Sequence, residues 1–278
     1  MKQPTPADVL AEIRPGQSVE LLKALHILTR EGRLNQDSRR KLKQVYHLYQ
    51  FIEPLLAEVA EGGDFSLVDH GAGKSYLGFL LYDLFCKPRG LGSVIGVESR
   101  EDLVQRSKSL ADLLGFERMD FLALTVDEAL TSPRLPARVD LVTALHACNT
   151  ATDDAIRFAL DRQARHVVLV PCCQAEVAAA LRARKAVALS ASPLAELWRH
   201  PIHTRELGSH LSNVLRCLLL ESHGYKVTVT ELVGWEHSMK NELIVATRNG
   251  GKKASARQRA EWLLREFGLE SLRMRFLY

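Results

Sequence analysis

Four side chains that can do chemistry follow two apolar runs with the pattern of buried strands. His146 and Cys148 follow the first run, and Cys172 and Cys173 follow the second. A histidine can accept a proton near neutral pH, and a thiolate is a nucleophile or a metal ligand. Because ligands of open α/β sheets bind outside the carboxyl ends of the strands, we expect these side chains to face one site.

The stretch 65–80, FSLVDHGAGKSYLGFL, is predicted to form a strand, a tight glycine turn and a helix. The apolar run ends at Asp69, glycines follow at Gly71 and Gly73, and apolar residues then resume at helical spacing. Glycine has no Cβ and tolerates positive φ, so this turn lets the backbone approach a ligand and directs a helix N-terminus towards it. The ligand types that suit such a turn are a dinucleotide, a phosphate and S-adenosylmethionine (SAM).

Two phosphate-binding motifs are incomplete in this stretch. Gly73-Lys74-Ser75 matches the end of a P-loop, but Val68 stands where that loop needs its first glycine. The dinucleotide fingerprint G-x-G-x-x-G would need a glycine at Tyr76. The pattern that remains is D-x-G-x-G.

An acidic residue ends the second predicted strand. Glu98 stands 25 residues after Gly73, at the place where Rossmann-like folds accept hydrogen bonds from ribose hydroxyls. Its alternative role is structural, as a partner of Arg100 beside a helix N-terminus. Strand, turn and acid together favour the ligand-binding role.

Strand and helix patterns alternate along the middle of the chain and end in a predicted hairpin, which indicates the α/β class. We expect a Rossmann-like sheet of seven strands with a helical segment before it. The predicted organisation is a helical segment, a sheet domain and a basic tail, at 1–62, 63–248 and 249–278. The predicted strands lie near 65–68, 93–97, 120–124, 139–145, 166–170, 225–233 and 241–247.

Composition is that of an ordinary soluble globular protein. The chain has 278 residues, of which 46% are hydrophobic and 25% charged. No apolar run approaches the roughly 20 residues that span a bilayer, and the first residues lack the hydrophobic stretch of a signal peptide. Five cysteines without a framework spacing indicate free thiols. We therefore expect a cytoplasmic protein without membrane contact.

Positive charge is concentrated near the two ends of the chain. Net charge is +4, and the basic residues cluster at 30–43 and after Thr247. These clusters are either solvated helix faces or a split platform for nucleic-acid phosphates. The candidate substrate-binding residues in the first cluster are Arg39, Arg40 and Lys41.

Three motifs together resemble one branch of the class I SAM-dependent methyltransferases. They are D-x-G-x-G-K-x-x-L at 69–77, H-x-C-x-x-A-T-D at 146–153 and the Cys-Cys pair at 172–173. The branch includes eukaryotic tRNA ribose 2′-O-methyltransferases that act on the acceptor stem. The segment 237–241 also resembles the branch's late H-[ST]-x-K-N element.

This resemblance, which covers about 64–247, implies SAM as the cofactor and roles for individual residues. Lys240 and Asn241 belong to the late element and are candidates for substrate binding. Asp127, after the third predicted strand, would lie near the adenine; its alternative is to cap the following helix. The other residues implied to bind the cofactor are Asp69, Gly71, Gly73 and Glu98.

Methyl transfer requires an aligned acceptor and, for a hydroxyl or amine, removal of a proton. His146 is the candidate base, or orients the acceptor, with Asp153 as its polariser; alternatively the two tie the loop together by hydrogen bonds. Cys172 or Cys173 is either a nucleophile on a pyrimidine ring or a packed thiol. A zinc site built from these residues and Cys148 would lack a C-x-x-C knuckle, so we expect no metal.

The sequence departs from the branch at several positions, so the acceptor atom does not transfer. Asn149 replaces a glycine of the tRNA enzymes, and Gln174 and Ala175 replace two histidines. The [DN]-P-P-[FY] motif of amino-methylating enzymes is also missing. We expect methylation of RNA, either tRNA or rRNA, with no obligate protein partner. The alternatives are a methyltransferase of a protein or small molecule, and a catalytically silent RNA-binding protein of the same fold.

Overall fold

A seven-stranded mixed sheet organises the chain. The computed structural model describes residues 12–145, 150–171, 175–184, 193–232 and 242–278. The strands are β1 (Ser66–His70), β2 (Ser93–Glu98), β3 (Met119–Ala123), β4 (Leu141–Leu145), β5 (His166–Val170), β6 (Tyr225–Glu231) and β7 (Glu242–Arg248). Their order in the sheet is β3-β2-β1-β4-β5-β7-β6. β1 is parallel to β2 and β4, β2 is parallel to β3, and β7 is antiparallel to β5. The predicted Rossmann-like sheet of seven strands is confirmed.

The principal helices of the described residues alternate with these strands after a helical N-terminal segment. They are α1 (Val19–Ala24), α2 (Gln36–Ala60), α3 (Tyr76–Leu81), α4 (Glu101–Leu114), α5 (Val126–Thr131), α6 (Thr150–Asp161), α7 (Ala175–Ala183), α8 (Pro201–Ser222), α9 (Ala254–Glu266) and α10 (Arg273–Phe276). α3 continues through a π-helical turn (Tyr82–Cys86) into a last turn (Lys87–Arg89). Among the helices of the described residues, none combines the length and the apolar character needed to cross a membrane.

The chain divides into two compact units, the first built mainly from residues up to Thr143 and the second mainly from Ala144 onward. In the first unit, α1 and α2 pack against the helix that follows the glycine turn. Leu22 and Leu42 share an apolar cluster with Leu80 of α3. The helical segment therefore supports the turn, and is part of the same core.

In the second unit, the basic C-terminal region is folded and contributes to the core. Ala256, Ala260 and Leu264 recur every four residues, which places them on one face of α9. That face joins Leu215 of α8 and Phe276 of α10 in one buried cluster. The region predicted as a basic tail thus buries an apolar stripe and leaves Arg257, Arg259 and Arg265 of α9 exposed.

Several element boundaries differ from the expectation by a few residues. The apolar stripe that extends to Leu28 forms a helix only to Ala24, because His26 adopts a positive φ of 54°. β4 begins at Leu141, two residues later than expected, because the chain before it forms a loop. Asp69 lies within β1, just beyond the strand expected at 65–68, and Asp153 lies in α6 and not in the loop after β4.

Candidate cofactor and catalytic site

The turn between β1 and α3 has the backbone conformation that its glycines permit. Gly71 has φ 67° and Gly73 has φ 58°, and Ser75 also adopts the left-handed region with φ 48°. A Cβ placed on Gly73 would meet no atom within 4 Å. The backbone of the turn therefore borders open space, where a ligand can approach it closely.

Asp69 lies beneath this turn and is only 2% exposed. Its Oδ1 accepts a hydrogen bond from Thr143 Oγ1 at 2.9 Å, and its Oδ2 accepts one from Ser75 Oγ at 3.0 Å. The backbone N–H of Gly78 donates to the same carboxylate. Asp69 therefore fixes the turn and the start of α3 from inside the protein.

Two further glycines make room for this buried arrangement. A Cβ on Gly78 would come within 2.5 Å of Ser75 Oγ, and a Cβ on Gly96 within 2.6 Å of the Phe121 ring. Sequence analysis identified neither glycine, nor the roles of Ser75 and Thr143. A glycine inside a helix or a strand often marks a close approach, and this was the available signal.

Glu98 joins the end of β2 to the turn. Its Oε2 accepts a hydrogen bond from the Gly73 N–H at 2.8 Å, and its Oε1 accepts one from the Arg100 N–H at 3.1 Å. Burial raises the pKa of Glu98, but these backbone hydrogen bonds and the Arg100 guanidinium together outweigh it and keep the pKa below the ordinary value. The carboxylate is therefore ionised at neutral pH and preorganised as an acceptor.

The pairing of Glu98 with Arg100, weighed above as its alternative role, is present. Arg100 Nε lies 3.2 Å from Glu98 Oε1. Glu98 Oε2 accepts only the Gly73 bond among the described residues, whereas a carboxylate oxygen can accept two. The Arg100 contact therefore leaves acceptor capacity at Oε2.

These residues fit SAM. An open glycine turn allows a close approach to the amino-acid part of the cofactor, and an ionised carboxylate at the tip of β2 is suited to ribose hydroxyls. The fit rests on the open space at Gly73 and the remaining acceptor capacity of Glu98.

Asp69 and its neighbour His70 make opposite contributions to pH-dependent stability. Burial raises the pKa of Asp69 to about 6, against hydrogen bonds from Thr143 and Ser75 that lower it. The stability due to Asp69 therefore declines as pH rises from about 4 to 6. Burial lowers the pKa of His70 to about 4, while the charge of Glu98 raises it. The stability due to His70 therefore declines as pH falls from about 6.5 to 4.

Asp69→Asn is expected to make visible the loss of stability that His70 causes as the pH falls. With the opposing carboxylate removed, the free energy of unfolding should fall by about 2 kcal/mol more than that of the parent between pH 6.5 and 4.5. Urea unfolding at the two pH values measures this, and Asp112→Asn, at an exposed position of α4, is the control. If the free energy of unfolding depended on pH in the same way in Asp69→Asn and in the parent, the raised pKa assigned to Asp69 would be wrong.

Asp127 lies at the exposed N-terminal turn of α5. The cap of this helix is Thr125, whose side chain accepts from the Glu128 N–H while the Glu128 carboxylate accepts from the Thr125 N–H. The alternative role of Asp127 as the cap is therefore wrong, because Thr125 occupies that position. Its role near the adenine stays a prediction.

Asp153, the predicted polariser, is buried in an ion-pair network within the second unit. Arg216 Nε donates to its Oδ1 at 2.6 Å, and Arg275 Nη1 lies 3.6 Å from its Oδ2. The side chains of Arg216 and Asp153 are 1% and 8% exposed. These two cationic partners give Asp153 a structural role in holding α6 in place. Its pairing with His146, as polariser or as a tie within the loop, stays a prediction.

The same network continues to α7 and β7. Arg275 Nε lies 2.9 Å from Glu176 Oε2. Arg216 Nη1 donates to Asn213 Oδ1 at 3.1 Å, and Asn213 Nδ2 donates to Glu242 Oε2 at 2.7 Å. Sequence analysis missed both arginines. The available signal was an arginine within the apolar sequence Val214-Leu215-Arg216-Cys217-Leu218 of α8.

The remaining predicted catalytic and late-element residues lie outside the described residues. Within the part of the chain that the structure describes, no cluster of three or more histidine, cysteine or carboxylate side chains could hold a metal ion. The predicted site residues that lie outside the described part of the chain are His146, Cys148, Cys172, Cys173, Lys240 and Asn241.

The predicted N-terminal platform is partly neutralised. Arg39 forms an ion pair with Glu12 at 2.7 Å, and Lys41 forms one with Asp37 at 2.8 Å. Arg40 is exposed on α2. An RNA phosphate would therefore have to displace a carboxylate at two of the three predicted positions.

Comparisons with known proteins give the family. A family model described as "Methyltransferase domain" matches residues 40–180, which is half of the chain. The search of curated proteins found no match to this chain. The match includes the glycine turn, Glu98, and the segments that contain His146 and Cys172.

Solved structures with similar folds share little sequence with this chain. The rRNA methylase from Streptococcus thermophilus has 11% identity and a TM-score of 0.42, over 71% of this chain and 94% of that one. M. capricolum TrmK in complex with S-adenosyl-homocysteine has 11% identity and a TM-score of 0.42, over 72% and 70%. The precorrin-6y C5,15-methyltransferase from Geobacter metallireducens has 16% identity and a TM-score of 0.43, over 73% of this chain and 88% of that one.

The fold is assigned from the strand order described above, because similarities with TM-scores this low do not support an assignment by themselves. By its family match and its fold, the chain belongs to the methyltransferase domain family and is a class I SAM-dependent methyltransferase.

Proposed function

We propose that this methyltransferase acts on RNA, with tRNA or rRNA as the substrate. The observation that carries the proposal is the excess of exposed positive charge on the C-terminal helices. Glu221 is shared by Lys253 and Arg259, and Glu261 is shared by Arg257 and Arg273. Two carboxylates thus face four cations, which leaves charge available for phosphate contacts.

The cofactor is proposed to bind at the glycine turn. Glu98 accepts hydrogen bonds from the ribose hydroxyls, and the backbone at Gly71 and Gly73 follows the amino-acid part. Asp69 acts indirectly, because it is buried and positions the turn through Ser75 and Thr143. Asp127 is proposed to lie near the adenine. When bound, SAM supplies an activated methyl group.

The chain's own contribution to the chemistry is alignment and proton removal. We propose His146 as the group that accepts the acceptor's proton or orients the acceptor, as its place after β4 suggests. Cys172 stays the candidate nucleophile of the alternative mechanism on a pyrimidine ring. Asp153 holds α6, which begins soon after His146, through its pairs with Arg216 and Arg275.

Substrate contacts are proposed at both basic regions. At the N-terminal one, Arg40 is the exposed candidate, and Arg39 and Lys41 would exchange their carboxylate partners for phosphates. Lys240 and Asn241 stay candidates because they belong to the late H-[ST]-x-K-N element.

The proposed location is the cytoplasm. Cys86 and Cys217 are free thiols among the described residues. Free thiols persist in reducing compartments such as the cytosol.

Transfer of labelled methyl groups tests the RNA proposal. The full-length protein is incubated with methyl-labelled SAM and total RNA from cells in which its own gene is deleted. We expect label in this RNA and much less in RNA from parent cells, whose target positions are already methylated. The Glu98→Ala variant is the control and should transfer little label.

Other distributions of label would contradict the proposal. Label that appears in protein or small-molecule fractions, with none in RNA, would assign the enzyme to another acceptor class. Equal labelling of RNA from deletion and parent cells would show a reaction without a defined site.

A further inference from the structure

An exposed tryptophan stands between two arginines on the outer face of α9. Arg259, Trp262 and Arg265 are three residues apart, so their side chains are neighbours on one face of the helix. The Trp262 side chain is 53% exposed, which is unusual for a residue with so much apolar surface. An aromatic ring flanked by guanidinium groups suits a planar, negatively charged partner.

The charge on this face is incompletely neutralised. Arg265 is exposed and forms no ion pair with any described residue. Arg259 forms an ion pair with Glu221 at 2.8 Å, but the same carboxylate also pairs with Lys253 at 3.8 Å. The region 249–278 contains seven lysines and arginines and three glutamates. Phosphate groups would complement this charge.

A small cleft adjoins the exposed face formed by Arg259, Trp262 and Arg265. Its volume is about 240 Å³, and Leu264, Arg265, Arg273 and Leu277 contribute to its wall with Glu261 and Glu270. This is below the roughly 300–1,000 Å³ of sites for drug-sized ligands. Two leucines in the wall offer apolar contact to one flat ring, and Arg265 offers a positive charge beside it.

We propose that the outer face of α9 and α10 binds an unpaired segment of RNA. One base stacks on Trp262, Arg259 and Arg265 contact the flanking phosphates, and the cleft accepts a neighbouring base. Unpaired bases expose the ring faces that stacking requires, whereas duplex RNA keeps them covered. The proposal rests on the proposed RNA substrate and specifies which part of that RNA this face binds.

Fluorescence anisotropy with labelled RNA tests the stacking contact. The probes are a single-stranded oligouridylate of about 12 nucleotides and a duplex of the same length. We expect the full-length protein to bind the single strand more tightly than the duplex. Trp262→Ala should weaken single-strand binding about tenfold, because stacking on an aromatic ring is lost. Trp262→Phe retains a ring and should recover most of the affinity.

The proposed contact between Arg265 and an RNA phosphate is tested by Arg265→Ala. This change removes an exposed side chain and does not endanger folding. The plot of log affinity against log salt concentration should become shallower by about 0.7, the value for one phosphate contact on a single strand. Arg106→Ala is the matched control, since Arg106 is also exposed and forms no ion pair with any described residue. It should leave the slope unchanged.

Several outcomes would overturn the proposal: unchanged affinity in Trp262→Ala, equal or tighter binding of the duplex, or binding of anionic phospholipid vesicles without binding of RNA. The labelling experiment above separates this proposal from the proposed function. RNA that is methylated equally well by Trp262→Ala would refute the surface alone. RNA that binds as expected without becoming methylated would refute the proposed function alone.

Discussion

Replacing Glu98 by alanine is expected to weaken SAM binding about 100-fold, because hydrogen bonds to a charged group are worth about 1.5–3 kcal/mol each. The change removes the acceptor for the ribose hydroxyls. It also leaves the Gly73 N–H, bonded to Glu98 at 2.8 Å, without its acceptor, so the turn loses a restraint. Isothermal titration calorimetry with SAM measures the effect directly.

Two companion variants make the Glu98 result specific. Glu98→Gln should have an intermediate affinity, because an amide has one oxygen, whereas both carboxylate oxygens of Glu98 accept backbone bonds. Arg100→Ala removes the neighbouring cation and retains the carboxylate, so its affinity should change less than about threefold. SAM binding by Glu98→Ala at the parent's affinity would refute the assignment of Glu98.

Arg216→Met is expected to lower the free energy of unfolding by about 3–5 kcal/mol. Methionine resembles arginine in length but has no charge. Among the described residues, the buried carboxylate of Asp153 then keeps only the ion pair with Arg275, at 3.6 Å. A buried charge that loses its main partner is costly, because the protein interior solvates it poorly. Urea unfolding at neutral pH measures the loss.

A double variant and an exposed pair provide the controls. Asp153→Ala combined with Arg216→Met should cost less than the sum of the two single changes, because neither charge then remains buried without its partner. Arg199→Met breaks an ion pair with Glu196 whose members are 57% and 59% exposed, and should cost less than about 1 kcal/mol. A loss in Arg216→Met as small as that in Arg199→Met would show that the network contributes little to stability.

The cofactor turn could be predicted from sequence because its determinants are local. Asp69 lies within β1, Gly71 and Gly73 follow this strand directly, and the φ values of both glycines are positive, as the pattern requires. Glu98 was predicted to end β2, and it does. A strand, a turn and a helix in succession leave few alternatives for where these residues lie.

The residues that hold the site residues in place could not be predicted, because these contacts join positions far apart in the sequence. Thr143 is 74 positions from Asp69, and Arg216 is 63 positions from Asp153. No local pattern distinguishes a threonine inside a strand that bonds a carboxylate from one that does not. Asp153 was predicted as a polariser because it ends the motif that begins at His146, while its described partners come from α8 and α10.

The C-terminal region shows how charge can hide a core helix in sequence. Its seven lysines and arginines outnumber its three glutamates, which favours the interpretation as a basic tail. The part of its buried face that lies on α9 is formed by Ala256, Ala260 and Leu264, of which two are small. Two alanines give a weak hydrophobic signal, so the helical period was outweighed by the charge.

Titration of the full-length protein with SAM, and separately with ATP and Mg²⁺, tests the central claim most directly. If the glycine turn binds the methyl donor, the protein should bind SAM with a dissociation constant of about 1–100 µM, within the usual range for enzymes and their substrates. ATP should not bind, because Val68 replaces the first glycine of a P-loop. Absence of SAM binding by the folded protein, or tight binding of ATP at this turn, would contradict the account.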